Sequence, residues 1–155
     1  QQMFTFIKEV FFRNYIFTYF LLVTGNWYAG TVIGNRSLQK EHPSTSDFVI
    51  PDFFIWFLLG SWTGVLIDTL LELGPLGYLF WNIALISLFL FGLQGFAIAR
   101  HLLDKYNVAR GTRFALGLAA MILFFIPGVN LVLIVGLPGF GLSELWIKYR
   151  KAERS

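Results

Sequence analysis

GPLGYLFWNIALISLFLFGLQGFAIARH, residues 74–101, is the stretch whose reading decides the fold of this chain. Between Tyr78 and Ala99 it carries no charged residue. A bilayer core of about 30 Å needs roughly 20 apolar residues in a helix, and this run supplies them. Asn82, Ser87 and Gln94 interrupt it, and His101 closes it. Ser87, Gln94 and His101 recur at a seven-residue interval, which puts them on nearly one stripe of a helix. Lipid cannot solvate a carboxamide, so the stripe predicts a membrane helix with an inward side.

The composition agrees. Hydrophobic residues make up 56% of the chain and charged residues 14%, with a mean hydropathy of +0.65. Soluble domains carry about 25% charge, so an ordinary soluble core is excluded. Eighteen Phe, five Trp and six Tyr suit a lipid-facing surface with aromatic belts. The absence of cysteine excludes disulfides, thiolate metal sites and thiol nucleophiles. The net charge of +3 comes from Lys and Arg beside apolar runs, where they orient a chain in a membrane. No nucleic-acid partner is expected. The opening Gln1-Gln2-Met3 lacks the order of a signal peptide, and the chain reads as the C-terminal part of a longer protein.

Around the central helix the other spans fall into place. Tyr15 to Ile33 is apolar enough to cross, after an aromatic stretch ending in Lys8, Glu9 and Arg13. Asn35 to Pro51 is a polar loop, and Pro51-Asp52 marks the next helix start. Phe53 to Leu73 is a second span, joined to the central helix by Leu73-Gly74-Pro75; so short a connection makes the two antiparallel neighbours. Past the polar segment after His101, Asn107 to Arg150 is too long for one crossing. Ile126-Pro127-Gly128 breaks it into two short spans, the second weakened by Gly136, Pro138, Gly139 and Gly141, where a kink or partial unwinding is expected.

Basic residues arbitrate the count. With four spans they divide evenly between the two sides. With five, ten lie on one side and only Lys8 and Arg13 on the other. The positive-inside rule therefore predicts five spans with a cytoplasmic C-terminus. The expected fold class is all-α: a polytopic transmembrane helical bundle of about five spans, one integral membrane domain over residues 1–155.

Ile50-Pro51 before an aromatic-rich helix, Asn82, Leu93-Gln94-Gly95-Phe96-Ala97, Ile126-Pro127, and Gly141 ahead of Trp146-Ile147-Lys148-Tyr149-Arg150 occur in an order that resembles the YybS-like family of bacterial membrane proteins. The resemblance covers residues 48–151. Glu144 stands where that pattern usually has Asp. Family members are about twice this length, which implies a preceding half. The resemblance also implies a distant similarity to the S components of energy-coupling-factor transporters, which capture vitamins or metal ions from outside and dock on an ATPase-driven module.

Asp68, Asn82 and Gln94 are the candidate ligand-binding residues. An ionisable group within a span marks a pathway, a ligand contact or a buried pair, although headgroup water near the Pro75 turn could also solvate Asp68. Asp68 and Asn82 lie seven residues either side of Pro75, so a symmetrical hairpin would bring them to one depth. Asn82 and Gln94 could equally hydrogen-bond across helix interfaces. Gly30 with Gly34, Gly60 with Gly64 and Ala115 with Ala119 are small pairs at packing distance, within the chain or with a partner. His42 and His101 are too isolated for a metal site, and Asn130 is expected to cap a helix. No catalytic triad, HExxH or phosphate loop is present, so no enzyme activity, metal or cofactor is expected. The leading expectation is a transport-related protein that captures a small polar ligand from the outer side; the alternative is a structural or assembly subunit of a larger membrane complex.

Overall fold

The structure, a computed structural model, describes residues 3–4, 10–11, 13–37, 48–147 and 149. Among the described residues five helices have defined bounds: α1 (Tyr15–Ser37), α2 (Phe54–Leu71), α3 (Pro75–Lys105), α4 (Arg110–Phe124) and α5 (Val129–Ser143). There is no strand among the described residues. α1, α2 and α3 are long and apolar enough to cross a membrane. α4 and α5 have 15 residues each, about 22 Å of helix against a core of about 30 Å. They are shorter than the two spans expected from the sequence because the turn between them takes Phe125 to Gly128.

The chain divides into two units, Gln1–Pro43 with Phe53–Leu88 and Ser44–Asp52 with Phe89–Ser155. α3 contributes to both, which explains why its sequence dominates the rest. Its buried positions include Ala84, Ser87, Phe91, Gln94 and Ile98, steps of three and four that trace one face. The inward stripe predicted from Ser87 and Gln94 is therefore present.

In the first unit α2 and α3 form the expected antiparallel hairpin. Gly64 faces the Phe80 ring and Gly77 faces the Asp68 carboxylate, while Trp62 meets Trp81 edge to face at 6.3 Å. These pairs set a register in which Asp68 lies opposite Gly77. Asn82 is five residues further along α3, about 7.5 Å deeper. The symmetrical pairing of Asp68 with Asn82 does not form, because the turn is centred before Pro75. α2 ends at Leu71 and Glu72 takes the left-handed conformation at φ 48°. The Glu72 and Leu73 N–H groups then donate to the Asp68 carbonyl and to Asp68 Oδ1, both at 2.9 Å. Asp68 thus stops the helix that carries it. A left-handed glutamate is strained where glycine would not be. Glu72→Gly is expected to raise the thermal stability of the detergent-extracted protein by about 0.5–1 kcal/mol, and a lowered melting temperature would contradict this assignment.

In the second unit α5 crosses the later part of α3 at glycine. A Cβ built on Gly95 would run into the Leu137 carbonyl, and one on Gly141 into the Phe91 carbonyl. Pro138 stands against Gly92, its Cγ 3.6 Å from where a Cβ there would be. Of the kink or partial unwinding expected from Gly136 to Gly141, the unwinding is absent, since the chain stays helical from Val129 to Ser143, through Pro138. Of that stretch, Pro138 and Gly141 serve close packing, whereas Gly136 and Gly139 have open space where a side chain would be. The link from α3 to α4 is braced by Arg113, which bonds the Val108 carbonyl (2.7 Å), the Leu103 carbonyl (3.2 Å) and Asp104. Gly128, at φ 89°, makes the turn into α5. Asn130 lies inside α5 and accepts the Gly128 N–H at 3.2 Å, bracing the turn from within rather than standing at the cap position.

Candidate functional site

Asn82 is fully buried on the inward face of α3. Its Oδ1 accepts the Phe17 N–H at 2.9 Å. Its Nδ2 donates to the Arg13 carbonyl and to the Tyr78 carbonyl, each at 2.7 Å. The partners fix the orientation of the amide, since only the oxygen can accept from an N–H. Both donors are consumed, and one lone pair on the oxygen is left.

The two partners, Arg13 just ahead of α1 and Phe17 within it, are four residues apart, the spacing of an ordinary helical bond. The Asn82 carboxamide bridges that pair. The backbone at Asn14 is correspondingly a turn, with helical residues on both sides. Neighbouring groups secure the arrangement. Trp81 Nε1 donates to Asn14 Oδ1 at 2.7 Å, Asn14 Nδ2 donates to the Val10 carbonyl at 2.9 Å, and the Arg13 guanidinium lies 4.9 Å from the centre of the Trp81 ring.

Gln94 plays a comparable part in the second unit, with a side chain that is 2% exposed. Its Oε1 accepts the Ile50 N–H at 3.2 Å, and its Nε2 donates to Glu144 Oε2 at 2.9 Å. Ile50 is buried and precedes Pro51, so its N–H lies outside any helix and needs a side-chain acceptor. One glutamine thereby joins the entry to α2, the later part of α3 and the residue after α5.

Asp68 is half-buried and spends Oδ1 on its own helix end. Asp68, Asn82 and Gln94 are thus not gathered into one polar pocket. A described cavity of about 450 Å³ lies along Phe11, Tyr15, Ile16, Thr18, Tyr19 and Leu22, apolar but for a hydroxyl or two, and none of the three candidates lines it. His101 Nε2 is buried without a hydrogen-bond partner among the described residues. No cluster of metal-ligating side chains occurs among those residues. His42 lies outside them. Among the small pairs, Gly64 is packed inside the chain, whereas Gly30, Gly34 and Gly60 have open space where a side chain would be, and Ala115 and Ala119 are exposed.

Sequence reasoning missed the bridge to α1 and the close crossing of Gly95 with Gly141. An asparagine early in an apolar helix signals an amide that needs partners, but not which backbone supplies them. The LQG segment and Gly141 were both visible in the motif, yet neither reads as a pair at a distance of 46 residues.

No curated protein and no solved structure matches the chain. Residues 1–139 match the family described as Predicted membrane protein (DUF2232), and with that match covering most of its length the chain belongs to this family of membrane proteins.

Proposed function

We propose that this protein is a non-enzymatic structural subunit of a membrane complex, whose buried polar residues hold its own helices and whose exposed small-residue faces meet a partner. The observation that carries this reading is the occupancy of the amides. Asn82 has given both donors and Gln94 bonds on both ends to this chain, so neither is poised for a ligand. The faces at Gly30, Gly34 and Gly60 are open, and backbones in a membrane approach closely where side chains are absent. The setting is a bacterial cytoplasmic membrane.

The S-component-like reading, capture of a small polar ligand at Asp68 and Asn82, draws on the family resemblance of residues 48–151. One experiment separates the two. Gly30 and Gly34 are replaced together by Leu; a Cβ at either position meets no atom within 4 Å among the described residues. The complex extracted in mild detergent should shrink to the size of the isolated chain. An unchanged size, together with a co-purifying small molecule that Asp68→Asn removes, would replace the structural reading with the transport one.

A further inference from the structure

We propose that the Arg13 guanidinium, mounted on the face of Trp81, holds the phosphate of an anionic phospholipid. The ring is fixed at two points. Trp81 Nε1 donates to Asn14 Oδ1 at 2.7 Å, and the ring meets Trp62 edge to face, the centres 6.3 Å apart. Arg13 Cζ stands 4.9 Å from the centre of the Trp81 ring. A π face attracts a cation without consuming its N–H groups, so the contact orients the guanidinium and leaves its five donors for another acceptor. Among the described residues no carboxylate pairs with Arg13, and no acceptor takes a hydrogen bond from its side chain. The residue is exposed.

Trp81 lies six residues into α3, about 9 Å from the helix start. Headgroups occupy roughly the outermost 5–8 Å of each side of a bilayer, so the ring stands close to where they meet the hydrocarbon. Trp62, Tyr78 and Tyr15 are exposed, and Trp and Tyr gather at that depth. A guanidinium there lacks the full hydration of a surface arginine and needs an anion. A phosphodiester offers two oxygens that match the fork of donors. A lipid brings that group to this depth with its chains already in the bilayer, whereas free phosphate must leave water. A zwitterionic headgroup carries its own ammonium, so the extra cation favours an anionic headgroup by about fivefold. Arg13 precedes α1, whereas Gly30 and Gly34 lie near its far end, so the site does not depend on the partner proposed there.

The detergent-extracted protein, offered equal amounts of phosphatidylglycerol and phosphatidylcholine, reports the site through the lipids it retains in native mass spectrometry. Wild type should retain phosphatidylglycerol about fivefold over phosphatidylcholine, and Arg13→Gln should retain the two equally. Arg110→Gln, at an exposed arginine of α4, should keep the wild-type preference. The same preference in Arg13→Gln as in wild type, or its loss in Arg110→Gln as well, would overturn the proposal. Equal retention of the two lipids by wild type would overturn it whether or not a variant folds. Millimolar inorganic phosphate should leave the bound lipid in place; displacement would overturn the lipid assignment in favour of a free anion. Loss of a co-purified protein in Arg13→Gln, with bound lipid unchanged, would overturn it in favour of a carboxylate on a protein partner.

Discussion

Gly95→Leu should abolish the folded protein, and Gly141→Leu should do the same. Each glycine faces backbone of the other helix. A Cβ on Gly95 would meet the Leu137 carbonyl, and one on Gly141 the Phe91 carbonyl. A clash with a flexible side chain is relieved by a rotamer change, whereas a clash with a carbonyl requires two helices to move apart. Ordinary overpacking costs about 1–3 kcal/mol, and a displaced helix pair loses its contacts along the whole crossing. Most of the folded population is removed once the cost approaches the total stability of about 5–15 kcal/mol, and the loss of a whole helix crossing is of that order. The reciprocal approach also brings each glycine Cα against the other helix's carbonyl, the arrangement of weak Cα–H···O contacts at close helix interfaces. Gly117→Leu is the matched control, since a Cβ there meets nothing within 4 Å among the described residues and α4 has no buried residue. Yield and thermal unfolding of the detergent-extracted protein report the difference. Equal stability of Gly95→Leu and Gly117→Leu would show that the crossing does not hold the second unit together.

The hydrophobic lengths of this chain were legible because lipid imposes them: an apolar run without charge has few alternatives to a helix. The turns at Gly74-Pro75 and Ile126-Pro127-Gly128 were legible for the same local reason, as residues that end helices. The inward face of α3 could be traced from Ser87 and Gln94 alone. What local chemistry does not carry is register. Counting from Pro75 paired Asp68 with Asn82, but the left-handed Glu72 moves the centre of the turn and sets Asp68 against Gly77. Nor does it carry the partner of a buried amide. Asn82 reads as a ligand contact or a helix-packing group from its position, and only the fold reveals that it holds the Phe17 N–H and the Arg13 carbonyl. Glycine shows the same divide. Small pairs four residues apart are visible in a sequence, whereas Gly95 and Gly141 meet through the path of the chain between them.

Gln94→Leu should cost about 2–4 kcal/mol without changing the fold, because the volume is nearly kept and only hydrogen bonding is lost. The Ile50 N–H donates to Gln94 Oε1 from a buried position ahead of Pro51, and no helical carbonyl is in line to replace the amide. A buried donor left without an acceptor costs about 1–3 kcal/mol. The second loss is the bond from Gln94 Nε2 to the Glu144 carboxylate at 2.9 Å, a hydrogen bond to a charged group and so worth more than a neutral one. The two losses can be separated by a double-mutant cycle over Gln94→Ala and Glu144→Ala. Coupling of about 1–3 kcal/mol between them would isolate the amide–carboxylate bond from whatever else each side chain does. The remainder of the Gln94 effect belongs to Ile50, and it should appear as faster hydrogen exchange at the Ile50 amide in Gln94→Leu than in Glu144→Ala. Coupling near zero, with unchanged exchange at Ile50, would mean that the glutamine fills space rather than joining three segments. If the coupling is present, the amide–carboxylate bond ties α3 to the residue that follows α5, so that a pull on the end of α5 reaches Gln94 through a single hydrogen bond.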